Sequence, residues 1–198
     1  MSFSFDTDYV LQNNVALLQP LVYEDRQQLW PFVLHEPQIW RYSLVAIKDA
    51  ADLDTYLHHA LLERNNRNAY AFSVIDKRTG LFAGCTRLYD VQLTHGTCLL
   101  GYTWYGSQFW GSGLNKHCKY LLLQFVFETM QLQRVEIRAD VHNLRSIAAI
   151  KRIGFQEEGV LRSHLALPNG QRRSSAVFSM LQQEWHEWGK AALWQQLS

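Results

Sequence analysis

Gln108-Phe109-Trp110-Gly111-Ser112-Gly113-Leu114-Asn115-Lys116 is the stretch whose reading decides the fold. It follows a strand-like run, Thr97 to Tyr105, and opens a helical pattern that continues to about Glu128. Two glycines at a strand-to-helix junction free backbone N–H groups at a helix N-terminus, where the helix dipole also favours an anion. Glycine is needed there because a Cβ blocks close approach of the anion or forbids the required φ. Lys116 and Lys119, one turn in, add positive charge at the rim. Gly-x-Gly alone marks a turn more often than a site. The dinucleotide fingerprint fails on spacing, because Lys116 stands where a third glycine is required. The P-loop fails for want of Gly-Lys-Ser/Thr. A cradle for one pyrophosphate remains.

Working outward, Arg134-Val135-Glu136-Ile137-Arg138-Ala139-Asp140 alternates as a half-buried strand. Asn143-Leu144-Arg145-Ser146 follows, then a helix pattern through Ile150 to Ile153, Gly154-Phe155 and Glu158-Gly159. This order resembles the GNAT N-acetyltransferases, in their ribosomal-protein N-terminal acetyltransferase-like branch, over about residues 14 to 182. The resemblance implies a mixed α/β fold, with a mostly antiparallel central sheet of about seven strands flanked by helices and splayed into a V at the cofactor cleft. It implies acetyl-CoA as co-substrate, and transfer of the acetyl group to a primary amine by direct attack in a ternary complex. The acceptor is then a protein N-terminal α-amine or a small-molecule amine.

Composition sets the outer bounds. The chain has 198 residues, which suits one α/β domain, with a core over about 14–182 and a helical tail over 183–198. Hydrophobic content of 47% against 19% charged excludes disorder. A net charge of +1 without a Lys/Arg block gives no electrostatic footprint for nucleic acid. Cys85, Cys98 and Cys118 have no Cys-x-x-Cys spacing and read as small core residues in a reducing compartment. Asp6 and Asp8 stand where a signal peptide needs positive charge, and no apolar run approaches membrane length, so a cytoplasmic location is expected. Histidines, cysteines and carboxylates show no metal-ligand spacing, and no Gly-x-Ser-x-Gly elbow appears.

Periodicity gives the remaining elements: a strand at Asn14–Pro20, a helix at Glu24–Leu34 kinked or broken at Pro31, and a helix at Ala50–Arg67. Ala69–Asp76 and Leu81–Tyr89 form a hairpin through Lys77-Arg78-Thr79-Gly80. Strands near Glu157–Leu167 and Ser175–Leu181 are joined by the turn triplet Pro168-Asn169-Gly170. In the tail, Trp185, Trp188 and Ala192 fall at helical spacing, as a stripe stapled to the domain or as a dimer contact, so a monomer or a homodimer is expected.

The resemblance also assigns roles. Gln108, Trp110, Gly111, Ser112, Gly113, Leu114, Asn115 and Lys116 hold the pyrophosphate, while the backbone of Trp104 and Tyr105 runs beside the thioester. Many relatives place a tyrosine four residues before Gly-Phe to protonate the leaving thiolate; here that position is Ile150. Ser146 is the replacement, a hydrogen-bond donor to sulfur more than a true acid, or simply a residue of the helix's first turn. Asn143 is a pantetheine contact, an N-cap, or both. The glutamate bases of relatives are replaced by Leu99 and Leu165, with His164 beside the latter as candidate base or as a structural histidine. Trp40 and Tyr42 are substrate-groove candidates, or they close the core's edge. Without a carboxylate base the site is expected to favour α-amines, with pKa near about 8, over lysine. A non-catalytic acyl-CoA sensor or scaffold on the same fold is the alternative reading.

Overall fold

The computed structural model describes residues 3–167 and 170–197. In chain order they form β1 (Leu11–Gln12), β2 (Ala16–Pro20), α1 (Arg26–His35), α2 (Ala50–Asn65), β3 (Tyr70–Asp76), β4 (Leu81–Gln92) and β5 (Thr97–Tyr105). Then come α3 (Leu114–Gln124), continued by a π-helical turn at Phe125–Thr129, β6 (Arg134–Asp140), α4 (Leu144–Arg152), β7 (Gln156–Ala166) and β8 (Arg172–Leu181). The strands make one eight-stranded sheet in the order β1-β2-β3-β4-β5-β6-β8-β7, antiparallel except for β5 against β6. The expected sheet is therefore present with one more strand. β1 is too short for periodicity to show, and it is set by Asn13, whose Oδ1 accepts the N–H groups of Val15 and Ala16 at 2.9 Å each.

Burial follows the alternation. β3 is closed on both faces: Phe72 packs 6.1 Å from Phe125 of the π turn, while Ser73, pointing the other way, bonds Asp25 ahead of α1 at 2.5 Å. On the side of α1 and α2, Trp104 of β5 is wedged between Phe32 and Trp40, at ring distances of 5.7 and 4.8 Å. Helix α1 runs through Pro31 and ends at His35, so the expected kink or break moves to Glu36-Pro37. The buried face Leu29, Phe32 and Val33 holds the helix together across the missing N–H.

Beyond β5 the same face changes character. Register carries it across the sheet, with Tyr89 opposite Leu99, Leu99 opposite Glu136, and Asp140 opposite Ser175. There it bears Arg134, Glu136 and Arg138, whose side chains keep 26%, 15% and 32% of their surface exposed. The opposite face of β6 and β8, with Val135, Ile137, Phe178 and Met180, is core.

The C-terminal segment continues β8 as a helix over Gln182–Glu184, a π turn at Trp185–Gly189 and Lys190–Trp194. Trp185 is fully buried and donates to Glu128 Oε1 at 3.0 Å, which staples the tail to the domain. The buried stripe is Trp185, Gly189 and Leu193; Ala192 is exposed, because the wider π turn advances the inward face by one residue. Of the expected turn triplet, Pro168 and Asn169 lie outside the described residues, and Gly170 has φ +81°.

Candidate active site

The cradle begins where β5 ends. A short helical turn at Ser107–Phe109 leads to Gly111 and Gly113, at φ +73° and +84°, the second standing at the N-terminus of α3. A Cβ built on either meets nothing within 4 Å, so their surface faces open space and the glycines serve backbone conformation and access. Among the described residues, the N–H groups of Gly111, Gly113 and Asn115 have no acceptor, as a helix start that binds an anion requires. Asn115 also keeps Oδ1 enclosed without a donor.

The loop is braced from outside. Ser112 donates its hydroxyl to the Phe109 carbonyl at 2.7 Å, and Arg78 donates to the Ser112 carbonyl at 3.0 Å. Asp76 in turn fixes Arg78 through two bonds, 2.9 and 2.6 Å. Their hydrogen bonds push the Asp76 carboxyl below and the Arg78 guanidinium above its ordinary range. This brace is not legible in the sequence, since Asp-x-Arg at a hairpin is too common to single out. Trp110, partly exposed, donates its indole N–H to the Tyr105 carbonyl at 2.9 Å, and Arg145 of α4 lies 3.9 Å over its ring. Tyr105 sends its phenol inward, its hydroxyl enclosed beside the Cys118 thiol.

The cleft itself is a seam in the sheet. β5 and β6 pair only through Thr97–Arg134, Cys98–Val135 and Leu99–Glu136, and then separate. β4 follows β5 to its end, across a bulge where Tyr102 takes φ +49° opposite Thr86. From Gly101 to Tyr105 the edge of β5 that faces β6 has no strand partner among the described residues, which is the V-shaped splay. Trp104 contributes backbone to this edge, while its indole is buried and donates to Tyr56 Oη at 3.4 Å.

Lys119 corrects a sequence expectation. It is not at the rim: three residues past Lys116 on the helix it turns inward, is buried, and donates to Thr103 Oγ1 at 3.1 Å on the splayed stretch. No carboxylate pairs with it among the described residues, and desolvation lowers its pKa to about 8.

On the far side of the seam, Asn143 caps α4, its Oδ1 accepting the Ser146 N–H at 3.1 Å. Ser146 is half-buried one turn into the helix, and Ile150, at the position of the family tyrosine, is core. Gly154 ends the helix at φ +93°, with Trp188 packed where a Cβ would stand.

Trp40 lies in the core against Trp104, its indole nitrogen enclosed without a partner. Tyr42 sits at the edge, its carbonyl directed at Arg173 of β8 at 3.5 Å. His164 reaches the open face because β7 bulges between Leu161 and Leu165, with Ser163 at φ +50°. Its Nδ1 bonds Ser175 Oγ at 3.1 Å and its Nε2 faces Arg138 Nη1 at 3.5 Å. Arginine only donates, so Nε2 is the lone-pair nitrogen and Nδ1 carries the proton. Burial and the guanidiniums of Arg138, Arg173 and Arg172 hold this imidazole below its ordinary pKa, with Glu136 opposing. Sequence reasoning missed Arg138 and Arg173, since an arginine on an alternating strand reads as a solvated face.

Comparison with known proteins agrees with this geometry. The sequence model of the acetyltransferase (GNAT) domain matches residues 16–156. YdaF of Bacillus subtilis (strain 168), provisionally named a ribosomal N-acetyltransferase, is 34% identical over 174 residues, covering 86% of this chain and 92% of YdaF. A crystal structure from T. thermophilus, provisionally titled an acetyltransferase, superposes with a TM-score of 0.86 at 28% identity over the whole of both chains. The microcin C7 self-immunity acetyltransferase MccE, solved with acetyl-CoA and AMP, shares the fold at a TM-score of 0.77 and 21% identity, over 85% of this chain and 93% of MccE. With the cradle, the seam and a matching family model in place, the chain belongs to the GNAT family and is an N-acetyltransferase that uses acetyl-CoA.

Proposed function

We propose that this chain acetylates a primary amine, a protein N-terminal α-amine or a small-molecule amine, by direct attack within a ternary complex. The observation that carries the reading is the seam between β5 and β6 with an anion cradle at its mouth. Acetyl-CoA, when bound, supplies an acyl group activated as a thioester. The cradle of Gln108, Trp110 to Lys116 holds its pyrophosphate by backbone N–H groups, and the exposed edge of Trp104 and Tyr105 aligns the reactive end.

Ser146 donates a hydrogen bond to the departing sulfur, since Ile150 has no proton to give. Asn143 orients α4 by capping it, and its free amide N–H₂ is available to the cofactor arm. His164 receives the amine's proton at Nε2 once Arg138 gives up its 3.5 Å contact there, because the cationic surroundings keep the imidazole neutral near pH 7. Tyr42 lines the acceptor side. A single imidazole is a modest base, which favours α-amines: at pH 7.4 about a quarter or less are neutral, against on the order of a thousandth of lysine amines. That gap is worth roughly 3 kcal/mol.

The test is a screen of amines and N-terminal peptides with acetyl-CoA, following free thiol, for the wild type and Ser146→Ala. Turnover with an α-amine acceptor and a kcat about 10- to 1000-fold lower in Ser146→Ala, with KM for acetyl-CoA moved much less, is the expected result. Thiol release only by hydrolysis, with every acceptor silent, overturns the proposal in favour of an acyl-CoA sensor.

A further inference from the structure

On the open face that begins at β6, two arginines hold their carboxylates in direct contact and a third does not. Arg134 bonds Glu158 and Glu136 at 2.5 and 2.9 Å, and Arg138 shares Glu136 at 2.5 Å. Asp140 is engaged by the backbone N–H and Nδ1 of His142, at 2.8 and 3.0 Å. Arg173 is left over. It is buried, and its bonds go to neutral oxygens: Nε to Ser175 Oγ at 3.1 Å and Nη1 to the Tyr42 carbonyl at 3.5 Å. No carboxylate forms an ion pair with it among the described residues, those of the same floor being on Arg134, Arg138 and His142. Burial lowers its pKa, with Asp140 and the Tyr89 phenol opposing from further off.

A second buried guanidinium, on β4, also lacks a carboxylate partner among the described residues, with Nη1 facing His59 Nδ1 at 3.3 Å. Arg87 on β4 is 1% exposed, lies 5.1 and 4.3 Å from the rings of Tyr56 and Tyr102, and has Nε and Nη2 unpartnered. Tyr102 in turn packs on Tyr89 at 5.1 Å. Arg87 is wholly enclosed and takes no part in ligand contact. A buried guanidinium without a counter-ion is costly, so one at the edge of a cleft is stabilised by an arriving carboxylate.

Position identifies which ligand. Arg173 hangs on the carbonyl of Tyr42 from the connection between α1 and α2, and shares Ser175 Oγ with His164, the proton-accepting imidazole. The charge that completes Arg173 therefore arrives on the acceptor side, within one side chain of the base. The β7 bulge that aims His164 places Arg172 there too, with Ser163 as its partner.

We infer that the acceptor is an acidic amine, one whose carboxylate lies near the reacting nitrogen, and that Arg173 receives that carboxylate with Arg138 beside it. This rests on the acetyl-transfer reading for the identity of the other ligand, but not for the anion site itself. Arginine suits the task, since its planar fork pairs a carboxylate through two bonds. The pairing holds the amine at a fixed distance from His164 Nε2 and discriminates against neutral acceptors. In the free protein Ser175 Oγ and the Tyr42 carbonyl occupy two donors of that fork, as placeholders that preserve its orientation.

Two measurements test it, on the full chain with CoA present. Calorimetry compares peptides that begin Asp-Glu with twins that begin Asn-Gln, and β-alanine with β-alaninamide; thiol release compares their kcat/KM. The wild type is expected to favour the acid at least tenfold in both, and the peptide and amino-acid arms separate a protein acceptor from a small one. Arg173→Gln, folded by circular dichroism, is expected to bring the ratio near one while the Asn-Gln peptide and CoA bind within threefold of wild type. Arg173→Lys restores part of the preference, which a merely structural role would not predict. A wild-type ratio near one, no binding of any acid, or a ratio that survives Arg173→Gln overturns the inference. Acid-selective binding without turnover overturns acetyl transfer and leaves the anion site; turnover without selectivity does the reverse.

Discussion

β3 and β6 belong to one sheet and have nearly opposite surroundings. β3 is buried almost throughout, between the aromatic cluster of Phe72 and Phe125 on one side and α1 and α2 on the other. β6 alternates, with Val135, Ile137 and Ala139 in the core and Arg134, Glu136 and Arg138 on an open floor. The seam between β5 and β6 is where one regime becomes the other. The closed half fixes the backbone of β5 by packing, and the open half is free to carry charge. A reaction at the seam needs both, one wall that does not move and one that recognises the acceptor.

The widest separation between the halves is in stability. Trp104→Ala removes a buried indole held by the rings of Phe32 and Trp40 and by a hydrogen bond, and should cost about 3–5 kcal/mol. Arg138→Ala removes a partly exposed ion pair whose partner Glu136 retains Arg134, and should cost under about 1 kcal/mol. Denaturant unfolding of both variants checks the contrast. Equal costs would mean that the charged floor is as structural as the core.

At the seam the expected effect is smaller and falls on binding. Gly113→Asp puts a carboxylate where the cradle faces open space, and should weaken CoA at least about tenfold, or 1.4 kcal/mol. The left-handed φ adds a backbone cost of roughly 1–2 kcal/mol to folding, and Asp is among the residues that tolerate it. Calorimetric titration with CoA decides. Unchanged affinity in a folded variant removes the cradle from the pyrophosphate.

What is legible in the sequence follows the same division. The cradle, the Asn143 cap and the stop at Gly154 are readable because each is a local signal: a glycine, a capping side chain, a chain reversal. Strands β5 and β6 are readable to the residue because alternation is local too. The charged floor is not. Arg173 and His164 meet through Ser175 only because β7 bulges by a count that register shows and sequence does not. Lys119 escapes for a similar reason, since helical spacing gives an angle around α3 but not how far a long flexible side chain turns inward. The Arg78 brace depends on a contact 34 residues away in sequence.

The smallest effect is the most specific to the open half, and concerns the titration of His164. Burial and the charges of Arg138, Arg173 and Arg172 disfavour its protonated form, while Glu136 favours it. The folded pKa therefore lies below the ordinary 6.5. A base held low is available across neutral pH, so kcat/KM, expressed per neutral amine, should fall only as pH drops below about 6.5, through the depressed value. Stability has the same sign. The unfolded imidazole takes its proton first as pH falls, so this group's contribution is neutral above its unfolded pKa and turns unfavourable below it. Arg138→Ala should raise the midpoint, and so should added salt, because a field from partly exposed guanidiniums is screened over about 8–10 Å. The profile of kcat/KM against pH in low and high salt, for wild type and Arg138→Ala, measures this. If His164→Gln keeps both the rate and the acid limb, the proton leaves by another route, and the floor recognises the acceptor without serving the chemistry.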